Sequence, residues 1–209
     1  MSENKSFGMI DDLDSVRYDV LREVGNIGAG NATTALSQLI NSRIDMTVPK
    51  VELLDFSELA EVVGSAEKKV VGILLNLSGD IDGMMMFMME CSGARRLVNR
   101  LMGQAEDYQE EFNEMELSAL NEIGNIIAGA YLSALSSLTN LSIVESIPYM
   151  SIDMAGAILS VPAIAFGEIG DKALLIESEF NQEEQSVNGF FILIPTETSY
   201  DKIVASLGM

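Results

Sequence analysis

The sequence contains an internal repeat, and this repeat limits the folds that the chain can adopt. Residues 19–49 align without gaps to residues 118–148, and 14 of the 31 aligned positions are identical. Chance alone would give about two identities over such a segment. The two halves are therefore copies of one unit, and we expect two similar structural units related by an approximate twofold axis.

Each copy predicts the same order of elements, which is one long helix, several strands and a second helix. In the long helix, apolar residues recur every three or four positions, as is typical of a helix with one buried face. Asn113 and Glu116 form a capping-box pair that predicts the start of the second long helix near Glu114. The first long helix has weaker start signals. Because apolar strands follow each helix, we predict an α+β fold in which two long helices pack side by side on a mainly antiparallel sheet.

Each half also carries a hairpin pattern. Ile81-Asp82-Gly83 precedes an apolar run at residues 84–89, and Val187-Asn188-Gly189 precedes another at residues 190–194. Asp-Gly and Asn-Gly favour type I′ turns, so we predict a tight turn at each pair. The first run is rich in methionine, which can form adaptable binding surfaces. An apolar run after a turn is more typical of a buried strand, and we expect one here.

The acidic segment between the copies predicts how the domain is organised. Residues 104–112 read QAEDYQEEF, a composition typical of a solvated linker rather than a packed element. We therefore expect one domain over residues 1–209, built from repeats at about 12–103 and 113–209.

Composition narrows the chemistry that the chain can perform. With 32 acidic and 12 basic residues the net charge is −20, which disfavours nucleic acid and anionic membranes as partners. The sequence has no histidine and one cysteine, Cys91, which excludes imidazole bases, Cys-His nucleophiles and ordinary zinc sites. We expect no metal site and no membrane insertion, and the absence of a signal-peptide pattern predicts a cytoplasmic protein.

Polar residues that align between the copies share one face of the long helix. Positions i, i+4 and i+7 fall within about 60° of one another on a helix. A solvated side explains such a face in a single copy, but nearby positions have diverged while Glu and Asn are kept. We therefore interpret Glu-x-x-Asn as a candidate site. The residues on this face are Asp19, Glu23 and Asn26 in the first copy, and Ser118, Glu122 and Asn125 in the second.

Glycines stand between the Glu and the Asn of each copy, at Gly25 and Gly124. A better helix former would stabilise each helix by about 1 kcal/mol, so another requirement must favour glycine. Two explanations are open at this point, which are tight packing between helices and the close approach of a partner.

A carboxylate and an amide on one face have a limited range of chemistry. They can orient a water molecule and bind a cationic partner, but they cannot readily cleave a free metabolite without a metal or a nucleophile. The pattern favours a chain that completes the active site of another protein. In phosphoryl transfer, a side-chain amide can position the attacking water while metal and charge come from elsewhere.

Both copies fit the pattern [Asp/Ser]-x3-Glu-x2-Asn-x22-Pro. Together with the segments EVGNIGAGNA and EIGNIIAGAYLSAL and the two hairpin patterns, this resembles the CheC/CheX/FliY phosphatases over essentially the whole chain. The resemblance implies hydrolysis of the phospho-aspartate of the chemotaxis response regulator CheY. The matching positions are Asp19, Glu23, Asn26 and Pro49, and then Ser118, Glu122, Asn125 and Pro148.

The resemblance also implies a role for each matched residue. Asn26 and Asn125 would orient the attacking water, and Glu23 and Glu122 would form salt bridges to a lysine of the regulator. The other four positions complete the pattern without a chemical step that the residues themselves reveal. No cofactor of its own is implied, because Mg²⁺ is expected on the regulator.

A second partner implied by the resemblance is CheD, a receptor-modifying deamidase. The matching segment is residues 151–160, in which Asp153 is the one charged residue. A buried piece of helix or strand is the alternative explanation for this segment. For the whole chain, the alternative function is a non-catalytic flagellar-switch or CheD-binding adaptor module on the same fold, which the intact Glu and Asn in both copies disfavour.

Overall fold

The computed structural model describes residues 15–41, 43–55, 58–59, 61, 65–105, 111–166, 172–182 and 185–206. In this part of the chain, each repeat begins and ends with a helix and has strands between them, as predicted, but a further helix at Ala155–Phe166 interrupts the strands of the second repeat. None of the described helices is long and apolar enough to cross a membrane. The elements are α1 (Ser15–Ile40), β1 (Asp45–Asp55), β2 (Lys69–Gly79), β3 (Gly83–Glu90), α2 (Cys91–Met102), α3 (Glu114–Thr139), β4 (Ile143–Glu145), β5 (Tyr149–Met154), α4 (Ala155–Phe166), β6 (Lys172–Gln182), β7 (Gln185–Pro195) and α5 (Glu197–Ser206).

The described strands form one antiparallel sheet in the order β1-β6-β7-β3-β2-β4, and β5 also pairs with β2. The first copy supplies β1, β2 and β3, and the second supplies β4 to β7. β1 pairs with β6 of the other copy, just as β5 pairs with β2. The approximate twofold axis therefore passes between β3 and β7, where Phe87 lies opposite Phe191. The predicted α+β class and the predicted symmetry are confirmed.

The long helices α1 and α3 lie side by side on one face of this sheet. A Cβ atom added to Gly28 of α1 would lie 2.5 Å from the ring of Tyr131 in α3, so Gly28 allows the two helices to approach. Gly25 and Gly124 instead face the sheet. An added Cβ would lie 3.1 Å from Val48 at Gly25 and would overlap Ile73 at Gly124. The two glycines thus serve packing between helix and sheet, which neither explanation from the sequence included.

The ends of the long helices are fixed by asparagine residues. Asn113 starts α3, because its side chain accepts a hydrogen bond from the Glu116 N–H at 3.1 Å and its own N–H donates to the Glu116 carboxylate at 2.9 Å. The predicted capping box is therefore confirmed. Asn41 follows α1 and Asn140 follows α3, each with left-handed backbone, at φ of 50° and 55°. Asparagine tolerates this conformation better than most residues.

The sheet separates two apolar cores. On one face, Met85, Phe87 and Met89 pack among the buried residues of α1, α2 and α3, while Met84, Met86 and Met88 pack with α4 on the other face. The methionine-rich run is therefore a strand buried on both sides, which confirms the expectation that it belongs to the core.

The predicted tight turns are wrong in detail. β2 and β3 do form a hairpin, but residues 80–82 connect them, which is longer than a two-residue type I′ turn. The predicted turn at Asn188-Gly189 lies inside β7, where Gly189 pairs with Met89. A Cβ at Gly189 would lie 2.5 Å from the Phe180 ring. Ring packing, and not a turn, therefore explains this glycine.

The linker between the copies is packed at both ends. Gln104 donates a hydrogen bond to Glu116 at 2.9 Å, and Glu116 forms a buried ion pair with Arg95, also at 2.9 Å. The guanidinium carbon of Arg95 lies 3.8 Å from the centre of the Phe112 ring. Residues 106–110 lie outside the described residues, and the limits of the two repeats stay a prediction.

Candidate active site

The four predicted site residues lie on the outer faces of the two long helices. Glu23 and Asn26 are exposed on α1, whereas on α3 Glu122 is exposed and Asn125 is half-buried. None of the four side chains makes a hydrogen bond or an ion pair with another residue that the structure describes. Their polar groups are therefore available to a partner.

Burial of the opposite helix face fixes this orientation. Leu21 and Val24, on either side of Glu23, are 6% and 4% exposed, and the aligned Leu120 and Ile123 are each 1% exposed. Successive residues turn by about 100° around a helix, so burying these apolar side chains points the Glu and Asn away from the core. Each pair thus stands on a rigid helix, which positions side chains better than a loop does.

The remaining motif positions lie on the long helices or in the segments that follow them. Asp19 and Ser118 are exposed, one helical turn before the Glu of their own copy. Pro49 lies in β1, where the pairing with β6 shifts register between Thr47 and Lys50. A proline lacks an N–H group and suits such an irregular position. The structure gives these residues a place beside the site or in the following strand, but no chemical step.

The second proline, Pro148, is half-buried and lies just before β5. Its neighbours Ile147 and Tyr149 are 91% and 67% exposed. In the first copy the corresponding neighbours are the buried Val48 and the charged Lys50. The residues beside the motif proline therefore differ in exposure and polarity between the two copies.

A carboxylate that the sequence did not indicate lies beside the second pair. Glu145 Oε1 lies 3.7 Å from the place of a Cβ on Gly129, which is one turn after Asn125 on α3. Burial raises the pKa of Glu145. The aligned residue in the first copy is Met46, so only the second face has this carboxylate. Pairing of β4 with β2 brings Glu145 there, a long-range contact that local motifs do not reveal.

The segment predicted to bind CheD comprises the end of β5 and the start of α4. Asp153 is exposed in β5, and its side chain accepts a hydrogen bond from the Met154 N–H at 2.8 Å. The helix that follows, α4, buries Ile158 against β2 on the face opposite to α1 and α3. Its outer surface exposes Ile164, at 79%. The segment is thus a strand end and a helix with one buried and one exposed side.

The described part of the chain shows no metal centre or activated thiol. Within it, no group of three or more His, Cys, Asp or Glu residues is arranged to hold a metal ion. Cys91 is half-buried, and burial raises the pKa of its thiol, which keeps the sulfur protonated and weakly nucleophilic. The outward Glu and Asn pairs remain the groups best placed for chemistry on a partner.

Comparison with known proteins assigns the chain to a family. The model of the CheC-like family matches residues 18–53, and that of the chemotaxis phosphatase CheX matches residues 71–163. A Bacillus subtilis (strain 168) protein named CheY-P phosphatase CheC is 39% identical over 196 residues, which cover 92% of this chain and 94% of that protein. The chain therefore belongs to the CheC-like family.

Two solved structures have the same fold. FliY from Thermotoga maritima has a TM-score of 0.76 at 21% identity, with 96% of this chain and 98% of that chain covered. The FliM middle domain from H. pylori has a TM-score of 0.69 at 13% identity, with 93% and 99% covered. These two similarities concern the fold alone.

Proposed function

We propose that this protein is a phosphatase that hydrolyses the phospho-aspartate of the response regulator CheY. One observation carries the proposal. Two Glu-x-x-Asn pairs point outward from helices whose opposite faces are buried, and the side chains of these pairs have no hydrogen-bond or ion-pair partner in the described structure. The name of the 39% identical relative supports the same activity. Asp19, Ser118, Pro49 and Pro148 surround or follow the pairs and have no assigned step.

Each of the two proteins supplies part of the active site for phosphate hydrolysis. The amide of Asn26 or Asn125 hydrogen-bonds a water molecule and holds it in line with the phosphorus atom. The water oxygen forms a bond to phosphorus while the bond from phosphorus to the aspartate oxygen breaks, which yields inorganic phosphate and a free carboxylate. An amide neither gains nor loses a proton near neutral pH, so its role is to position the water. Mg²⁺ bound to the regulator would stabilise the developing negative charge.

The Glu residues hold the regulator in place. Glu23 or Glu122 would accept hydrogen bonds from a lysine ammonium group of the regulator, which brings the acyl phosphate over the neighbouring Asn. The net charge of −20 also favours a partner surface that carries a metal ion and a lysine. We place the reaction in the cytoplasm, where the lone cysteine would stay reduced.

The test is release of inorganic phosphate from phosphorylated CheY, with and without the purified protein. The double variant Asn26→Ala and Asn125→Ala should lower kcat by about 100-fold or more, because the water loses its orientation. Both side chains are outside the core, so the melting temperature should stay within a few degrees. Gln38→Ala, also exposed on α1 but 12 residues after Asn26, is the matched control. Full activity in the double variant would contradict the role of the amides.

The alternative is a non-catalytic module of the flagellar switch, or an adaptor that binds CheD. The FliM middle domain shares the fold but does not decide between the two functions, whereas the intact pairs in both copies favour the phosphatase. The same assay separates them, because an adaptor would bind CheY without accelerating phosphate release.

CheD is the second partner that we propose for this chain. Asp153 and the exposed side of α4 would form its docking surface. The exposed apolar residues Met154, next to Asp153 in the chain, and Val161 and Ile164, on α4, support this proposal. No described part of this surface belongs to α1 or α3.

A further inference from the structure

Each residue that is identical in the two copies occurs in two environments of the same fold. Most of the shared residues have a reason inside the fold. The shared pair Ala29 and Ala128 is buried, the shared glycines Gly25 and Gly124 face the sheet, and the shared asparagine after each long helix has left-handed backbone. Identities that lack such a reason point to a requirement outside the chain.

Gly30 and Gly129 are shared residues of this second kind. A Cβ at Gly30 would meet no atom within 4 Å, and at Gly129 it would meet only Glu145 Oε1, at an ordinary contact distance of 3.7 Å. Neither glycine has a positive φ. Packing and backbone conformation in the described structure therefore do not require glycine at either position.

Helix stability argues against glycine here as well. Both residues lie inside 26-residue helices, where glycine is less favourable than alanine because it loses more backbone freedom on folding. The same unfavourable choice occurs at the same position of both copies. A benefit in function would explain why it is kept.

The position of the glycines indicates that benefit. Each lies four residues after the Asn and seven after the Glu of its copy, so all three residues fall within about 60° on one helix face. The neighbouring Gly28, two residues earlier, points towards Tyr131 and the core instead. Gly30 and Gly129 therefore leave bare backbone next to the catalytic amide, on the side from which a partner approaches.

We propose that Gly30 and Gly129 are positioning residues, each of which lets the backbone around the phospho-aspartate of the regulator lie directly against the helix. This inference rests on the proposed phosphatase function and adds a specificity determinant to it. A methyl group at either position would hold the acyl phosphate away from the Asn amide. A displacement of about 1 Å can slow a positioned reaction on the order of 100-fold.

The experiment compares two variants that should both stabilise the protein. In the double variant Gly30→Ala and Gly129→Ala, we expect a higher melting temperature and a value of kcat/KM for phosphorylated CheY that is lower by about 10-fold or more. Asn31→Ala is the control, because Asn31 is exposed, lies on another side of α1 and aligns with Ala130. It should raise the melting temperature without changing kcat/KM.

Binding is measured in parallel with CheY loaded with beryllium trifluoride and Mg²⁺, which imitates the phosphorylated state. We expect the glycine variant to bind this probe at least about 10-fold more weakly than the wild type and the Asn31→Ala variant. A stabilised glycine variant with unchanged affinity and kcat/KM would overturn the inference, as would a melting temperature below that of the wild type. A wild-type protein that binds the probe without releasing phosphate would instead refute the proposed phosphatase, while the affinities would still decide the role of the glycines.

Discussion

Two pairs of asparagines are identical between the copies, and the two pairs have unrelated structural roles. Asn41 and Asn140 are shared because the backbone after each long helix is left-handed, whereas Asn26 and Asn125 have no such requirement and point away from the core. Identity between the copies therefore reveals selection but not its cause. Burial, φ and hydrogen bonding separate the two causes, and they agree with the role towards a partner that we propose for the outward Asn residues.

The Glu residues should affect binding more than chemistry. In the double variant Glu23→Gln and Glu122→Gln, we expect the KM for phosphorylated CheY to rise by about 10-fold while kcat changes little, because an ion pair to the regulator is lost. The KM of the wild type should rise with salt, and that of the variant should respond less. Steady-state kinetics at two ionic strengths measures both effects.

The control for this variant must remove the same charge elsewhere. Glu67→Gln with Glu197→Gln does so at two exposed residues outside α1 and α3, and it should leave KM nearly unchanged. A large loss of kcat at unchanged KM in the Glu23 and Glu122 variant would show a chemical role for these carboxylates, contrary to the proposal.

A buried ion pair at the start of α3 should make stability depend on pH. Burial alone would raise the pKa of Glu116, but hydrogen bonds from the Asn113 N–H, the Gln104 amide and Arg95 outweigh it and hold the pKa below its usual 4.5. The stabilisation is therefore complete above about pH 4.5 and is lost as the pH falls through the lower pKa of the folded state.

Replacement of this carboxylate tests the argument. Glu116→Gln should lower the free energy of unfolding near pH 7 by about 3 to 5 kcal/mol, because it removes the buried carboxylate that forms an ion pair with Arg95. Urea denaturation at several pH values measures the difference, which should shrink below pH 4.5. A difference that stays constant down to pH 3 would assign the loss to packing instead of charge.

At the scale of elements, the contact between α1 and α3 combines a small residue with a large one. The Tyr131 ring packs against Gly28. Gly28 aligns with Ile127 in the other copy, and Tyr131 aligns with Ala32. The Tyr131 ring stacks on Phe191 at 4.3 Å, and its buried hydroxyl, whose pKa burial raises to about 12, lies 2.5 Å from the Ser178 oxygen. Cores tolerate such exchanges when total volume is kept, so these positions diverged while the helix contact remained.

The sequence predicts elements well where local patterns dominate and fails where distant contacts decide. Helical periodicity and the Asn113 capping box located α3, and the apolar run in β3 indicated a buried strand. The Asn188-Gly189 pair predicted a turn, but Gly189 is required by the Phe180 ring on the neighbouring strand. Likewise, the approach of Glu145 to Gly129 depends on strand pairing. Neither contact leaves a signal in nearby residues.

At the scale of the whole molecule, each copy contributes one strand that pairs with a strand of the other copy. β1 of the first copy completes the sheet beside β6, and β5 of the second does so beside β2. Each copy would therefore leave a sheet edge and part of its core uncovered on its own. This exchange places α1 and α3 together on one face of the sheet and α4 on the other. The two proposed docking surfaces thus lie on opposite faces of one sheet.

Because the sheet separates these surfaces, the regulator and CheD should bind at the same time. A mixture of the protein, CheD and CheY loaded with beryllium trifluoride and Mg²⁺ should elute in size-exclusion chromatography as a complex that contains all three, with a mass measured by light scattering.

Asp153→Arg should weaken CheD binding by about 10-fold or more through loss of a rim charge and steric conflict. It should leave phosphate release without CheD unchanged, since Asp153 lies outside the helices that carry the Asn residues. Asp201→Arg reverses an exposed charge on α5 and should affect neither interaction. Displacement of CheD by loaded CheY would mean that the two partners share a surface, and the arrangement on opposite faces would then be wrong.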